Sequence, residues 1–161
     1  LYLDNEQRVL KPSRSASGSK YETRGLSFWS KGEEATLDFE GESILCKVNS
    51  YYSIWEDAKL RGADFRAVGN EPGWHLELFS SGESTLVTDY GAERFRFVAE
   101  GPEQTADEAG RRFTGSARGV DIEIELTPGP CADTMIDVEY ETTVQVNVGG
   151  QVLWGCGNAL Q

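Results

Sequence analysis

Asp121-Ile122-Glu123-Ile124-Glu125-Leu126 alternates an acid with an aliphatic residue at every step. In an extended chain this puts all the aliphatic groups on one face and all the carboxylates on the other. A helix would scatter the same residues around its circumference. The pattern recurs in Thr143-Val144-Gln145-Val146-Asn147-Val148, Trp74-His75-Leu76-Glu77-Leu78-Phe79, Arg94-Phe95-Arg96-Phe97-Val98 and Thr36-Leu37-Asp38-Phe39. Glycine-containing pairs punctuate these runs: Ser81–Gly82, Tyr90–Gly91, Arg118–Gly119 and Gly149–Gly150. The last falls between Val148 and Val152 and reads as a hairpin turn. The expected fold is all-β, built as small antiparallel β-barrels of up-and-down topology.

Two stretches interrupt the alternation. Ser53 to Arg61 carries helix-forming residues, and Ser53 with Glu56 has capping-box spacing, so a short helix is expected there. Gly101 to Gly110 is polar and acidic and reads as a solvated loop. Glu71-Pro72-Gly73 reads as a turn in which Pro presets one position and Gly supplies the next. The chain is therefore divided into 1–50, a junction at 51–61 and a second barrel at 62–161. The first piece is small for a free-standing barrel. It is expected either to continue in strands upstream of Leu1 or to pack on the second piece.

The net charge is −12, spread along the chain, with 39% hydrophobic residues. Nucleic acid is not an expected partner, because phosphate binding needs clustered Lys and Arg. The charge either steers a basic protein partner in a salt-sensitive way or only maintains solubility. Cys46, Cys131 and Cys156 form no C-x-x-C pair, so no metal site and no cofactor are expected. Cys131 and Cys156 bracket a hairpin-like segment and are candidates for a disulfide. No nucleophile elbow, P-loop or metal-spaced cluster is present, and His75 is the single histidine. Glu71, Glu77, Asp133 and Asp137 are the available acids, but nothing in their spacing marks catalysis. The chain is not expected to be an enzyme.

The least ordinary segment is Ser13-Arg14-Ser15-Ala16-Ser17-Gly18-Ser19-Lys20-Tyr21, rich in small hydroxyl side chains. It is followed by Gly25-Leu26-Ser27-Phe28-Trp29-Ser30-Lys31-Gly32-Glu33-Glu34-Ala35 and then by Cys46. This combination resembles the membrane-bound and periplasmic inhibitors of c-type lysozyme, which carry an S-G-x-x-Y loop and a W-x-K-G-x-E-A segment. The resemblance spans roughly residues 1 to 49, and Ser19 stands where a small apolar residue is more usual. It implies a lipocalin-like barrel and a c-type lysozyme partner contacted by Ser15, Ser17, Gly18, Lys20, Tyr21 and Lys31. Ser17 and Lys31 would occupy the enzyme's two catalytic carboxyl groups, and Tyr21 would brace the loop or add contact area at its edge. Trp29 is expected in the core. The resemblance further implies a cysteine-bearing first strand upstream of Leu1 as the partner of Cys46. The implied location is the envelope of a Gram-negative bacterium, either periplasmic or held at the outer membrane by an upstream lipid anchor.

Phe65-Arg66-Ala67-Val68-Gly69-Asn70-Glu71-Pro72-Gly73-Trp74, with Cys131-Ala132-Asp133-Thr134-Met135 and Gly155-Cys156-Gly157, resembles a poorly characterised bacterial envelope family across residues 62–159. This implies a β-barrel and an envelope location without an activity. The alternative function is accordingly a non-enzymatic envelope scaffold or a small-ligand-binding barrel. An exposed Ser15–Tyr21 loop favours inhibition; a buried loop beside an apolar barrel cavity favours the alternative.

Overall fold

The computed structural model describes residues 1–3, 6–80, 82–106, 109–133 and 138–160. The chain forms two units, Leu1–Ser53 and Ile54–Gln161. Both are built from antiparallel strands, and the described residues contain a single α-helix.

In the first unit, β1 (Tyr2–Leu3) pairs with β2 (Glu6–Gln7). A five-stranded meander follows: β3 (Lys11–Ser13), β4 (Ser19–Thr23), β5 (Leu26–Lys31), β6 (Glu34–Phe39) and β7 (Glu42–Lys47). Two-residue turns join β4 to β7 in sequence, fixing the register at Thr23↔Leu26, Lys31↔Glu34 and Phe39↔Glu42. Cross-strand partners share a face. Tyr21, Phe28, Leu37 and Ile44 therefore form one row, flanked on the same face by Leu26 and Phe39. Leu26 and Leu37 are buried, whereas Ile44 is exposed. The opposite face carries Lys20, Trp29, Lys31, Thr36 and Leu45.

Helix α1 spans Ser50–Leu60. It starts three residues earlier than Ser53, because the Asn49 side-chain oxygen accepts the Tyr52 N–H at 3.1 Å and caps the first turn. Ser53 lies inside the helix, its hydroxyl donating to the Ser50 carbonyl at 3.1 Å.

The second unit contains β8 (Phe65–Asn70), β9 (Gly73–Leu78), β10 (Glu83–Thr88), β11 (Glu93–Val98), β12 (Glu100–Gln104), β13 (Arg111–Ala117), β14 (Val120–Asp133), β15 (Val138–Val148) and β16 (Gln151–Ala159). Their order in the sheet is β11-β10-β9-β8-β16-β15-β14-β13-β12. Each strand neighbours its predecessor except across one gap, between β11 and β12, while β8 pairs with β16. This is an up-and-down barrel, nearly closed. At the gap, β13 approaches β11 so closely that a Cβ on Gly115 would lie 2.5 Å from the Phe97 ring.

The alternating residues of the sequence fill the interior. Leu76, Leu86, Ile122, Ile124, Val144, Val146 and Leu153 are almost completely buried. Each contributes about 1.5–3 kcal/mol by leaving water. The Trp74 indole also points inward, where glycines make room: a Cβ on Gly69 would come within 2.1 Å of it and one on Gly155 within 2.6 Å. Its N–H donates to the Trp154 carbonyl at 3.2 Å.

Two local readings are corrected. Glu100–Gln104 is a strand paired with β13 rather than a loop; every one of its residues is exposed, so no alternation could reveal it. The hairpin between β8 and β9 turns on Glu71–Pro72 alone, since Gly73 already pairs with Asn70. Gly73 instead makes room for Tyr90, whose ring would lie 2.6 Å from a Cβ there. The Gly149–Gly150 turn does close the Val148↔Gln151 hairpin, with positive φ at both residues (57° and 90°), as such a tight turn requires.

Candidate functional site

The segment Arg14–Gly18 is the connection between β3 and β4, and all of it is exposed. It is held in shape from within and from beneath. The Ser15 hydroxyl donates to the Gly18 carbonyl at 2.9 Å. The Trp29 indole N–H donates to the Ser17 carbonyl at 2.8 Å. Gly18 has φ +71°, in the left-handed region, and a Cβ there would lie 2.1 Å from the Ser30 carbonyl oxygen and 3.2 Å from Lys31 Cβ. Only glycine satisfies both demands.

Those contacts bring two separated sequence segments together. The hydroxyl-rich tip rests on the last residues of β5, so Lys31 stands beside Gly18. Lys31 is exposed and forms no ion pair among the described residues. Among the described residues the Ser17 hydroxyl likewise makes no hydrogen bond, whereas that of Ser15 is engaged within the tip. The arrangement brings Gly18, the neighbour of Ser17, against the first carbon of the Lys31 side chain, so a residue with a hydroxyl that can donate or accept and one with an ammonium belong to the same patch. Such a pair can meet one protonated and one ionised carboxyl group.

Not every candidate joins this patch. Lys20 shares the Trp29 face but forms an ion pair with Glu22. The Lys20 and Ser13 hydrogen bonds hold the Glu22 carboxyl below its ordinary range. Tyr21 pairs with Phe28 and points to the opposite face from Trp29 and Lys31, so strand alternation keeps its ring away from the lysine. Trp29 is not a core residue. It is 40% exposed and buttresses the tip from the outer face. The alternation of Leu26, Phe28 and Ser30 on the other face carries that signal, which the aromatic character of Trp29 obscures.

Residues 1–45 match the family of membrane-bound lysozyme-inhibitor of c-type lysozyme. The lysozyme-inhibitor match covers less than a third of the chain, and it includes β3 to β6 with the whole tip and Lys31. It supports a lysozyme-inhibitor role in general terms. No curated protein and no solved structure matches the chain.

In the second unit, Cys131 and Cys156 form a disulfide, while Cys46 in the first unit is a free, half-buried thiol. Two of the candidate acids there, Glu77 and Asp133, are committed to structural bonds. Glu77 is buried between Arg66, its ion-pair partner across β8 and β9, and Arg61, which bonds both carboxylate oxygens at 2.7 and 2.8 Å. Burial alone would raise the Glu77 pKa; the Arg61 hydrogen bonds and the two guanidinium charges outweigh it and hold the group below its ordinary range. Trp55 of α1 covers the pair, with the Arg66 guanidinium 5.6 Å from its ring centroid. Burial, then the Arg66 charge, lowers His75. Asp133 accepts from the Asn70 amide at 2.8 Å. Glu71 sits in the β8–β9 turn, and Asp137, Thr134 and Met135 lie outside the described residues. Among the described residues no group of three or more His, Cys, Asp or Glu is placed to hold a metal ion.

Proposed function

We propose that this protein inhibits c-type lysozyme by inserting the Ser15–Gly18 tip and Lys31 into the enzyme's catalytic cleft. The observation that carries this reading is the seating of the tip on Ser30–Lys31, which brings the exposed Ser15–Gly18 segment and the exposed Lys31 into one patch. A glycosidase cleft of this type holds a protonated acid and an ionised carboxylate either side of the scissile bond. The Ser17 hydroxyl suits either carboxyl form, and Lys31 pairs with the ionised one in a charge-assisted contact. Gly18 and the small side chains of the tip keep the projection narrow enough for a groove shaped to a polysaccharide.

The net charge of −12 favours rapid encounter with a basic enzyme and makes association weaken with salt. Ser15 contributes by holding the tip's shape and Lys20 by lying at its rim. Tyr21 adds no contact on the Lys31 face, so the direct contacts rest on Ser17, Gly18 and Lys31. A non-catalytic protein of the Gram-negative envelope, periplasmic or anchored at the outer membrane, fits this reading. We assign residues 62–159 to a second, envelope-type barrel that carries the inhibitor unit.

The exposed tip and the filled interior of the second barrel favour inhibition over the alternative of a ligand held inside that barrel. The test is a titration of a c-type lysozyme's lytic rate at low and moderate salt. Stoichiometric loss of lysis is expected, weakened by salt and abolished in Ser17→Ala/Lys31→Ala. Full inhibition by a folded double variant overturns the site.

A further inference from the structure

Cys131–Asp133, the end of β14, stays paired with Val138–Tyr140 of β15 but also reaches strands further along the sheet. β15 separates β14 from β16 in the sheet, and β16 separates β15 from β8. Nevertheless Cys131 is bonded to Cys156 of β16, and Asp133 accepts a hydrogen bond from Asn70 of β8. The irregularity in register between Pro128 and Cys131 bends the paired end of β14 and β15 so that it can do this. Cys156 faces outward, since it pairs with Val68 while its neighbours Gly155 and Gly157 face the core. The end of β14 is therefore an arm folded across the outer surface of the barrel.

Between this arm and the strands beneath it lies a groove of about 280 Å³. Val68, Asn70, Thr143 and Trp154 line it on one side, and Cys131 and Asp133 on the other. Both walls are fixed. The disulfide pins the arm, and the Trp74 bond to the Trp154 carbonyl pins β16 from inside the barrel. Trp154 is 61% exposed, although its backbone is anchored, whereas Asp133 is 8% exposed. A rigid strand thus holds a wide apolar indole in water, next to a sheltered carboxylate oriented by an amide.

We propose that this groove binds a saccharide, with Trp154 as stacking platform and the Asn70–Asp133 pair as hydroxyl anchor. A sugar ring has an apolar C–H face for the indole and hydroxyls at its edge that both donate and accept. The carboxylate accepts from such hydroxyls, and the amide can donate to them or accept from them. The volume is near the lower end of small-molecule sites, about 300 Å³, and fits one ring of a longer chain lying across the opening. The preformed walls reduce the ordering cost of binding. This site lies wholly in the second unit and does not depend on the lysozyme reading.

The experiment is a heteronuclear NMR titration of the full chain with an N-acetylglucosamine tetramer and, separately, a glucose tetramer. The Trp154 indole and Asn70 amide cross-peaks are followed. Saturable shifts of both are expected with at least one oligomer at millimolar concentration. Trp154→Ala is expected to weaken binding by about ten-fold or more, and Trp154→Phe by less, with the remaining spectrum unchanged. The proposal is overturned if neither oligomer moves these signals. It is overturned equally if Trp154→Ala and Asn70→Ala leave the affinity unaltered, or if tetramethylammonium shifts the peaks and the saccharides do not. None of these results bears on lysozyme inhibition.

Discussion

Replacing Gly18 by alanine adds a single methyl group and tests whether the shape of the tip matters. The φ of +71° costs an L-residue about 1 kcal/mol or more. The new Cβ would lie 2.1 Å from the Ser30 carbonyl oxygen, well inside contact distance, and that oxygen belongs to a paired strand. The tip must therefore lift from β5 by roughly 1 Å, on the scale of ordinary van der Waals contact. That movement stretches the 2.8 Å bond from Trp29 to the Ser17 carbonyl, worth about 1 kcal/mol net. Together the native tip loses about 2–3 kcal/mol relative to displaced conformations. If binding requires the native tip, the inhibition constant should rise roughly 30- to 150-fold. The assay is a lytic-rate titration with wild type and Gly18→Ala in parallel, with thermal unfolding recorded on the same samples. The second unit should unfold as in wild type. An inhibition constant within about three-fold of wild type would refute the reasoning, because the tip would then have moved without consequence.

Further outcomes follow from the same structure. Trp29→Phe keeps the ring but removes the donor to the Ser17 carbonyl, and should weaken inhibition about five-fold in the same titration. Glu77→Gln strips the buried Arg66 of its charge partner and should destabilise the second unit by about 3–5 kcal/mol in urea unfolding. His75 is depressed from its ordinary 6.5, so its neutral form is favoured in the folded state. Its contribution is complete above that pH and is lost as the pH falls towards the folded value, where the unfolded chain binds the extra proton. The stability difference between wild type and His75→Gln should therefore shrink between neutral pH and pH values below 6.5. A difference that grows on acidification would be the wrong sign. Glu77, depressed from 4.5, adds a second loss of the same sign below that value. Reducing the Cys131–Cys156 disulfide, with its separation of 25 residues, should lower the second unit's stability by about 3 kcal/mol.

The strands that face a core on one side only were legible from residue order. Ile122, Ile124, Val144 and Val146 announce their faces by alternation, and they prove fully buried. β12 was not legible, because a strand exposed on both faces leaves no period in its sequence. The helix start was misplaced because Asn49 and Ser53 are both acceptable caps, and only the backbone decides between them. The tip and Lys31 could be named from their motifs. Their contact depends on the β4–β5 register and the approach of Gly18 to Ser30, which local sequence does not encode. Trp29 was misplaced in the core for the same reason: register puts the tryptophan on the tip's side of the sheet and Tyr21 on the other face. The reach of the β14 end to β16 and β8 is a long-range event. Only the pairing of Cys131 with Cys156 hinted at it.

The most direct test of the central claim is to map the lysozyme contact itself by adding unlabelled c-type lysozyme to isotope-labelled protein and following the backbone and indole signals. The account predicts that Ser15, Ser17, Gly18, the Trp29 indole and Lys31 shift or broaden, while the core signals of Leu76 and Val144 stay in place. Perturbations confined to the second unit, with the tip unaffected, would contradict it.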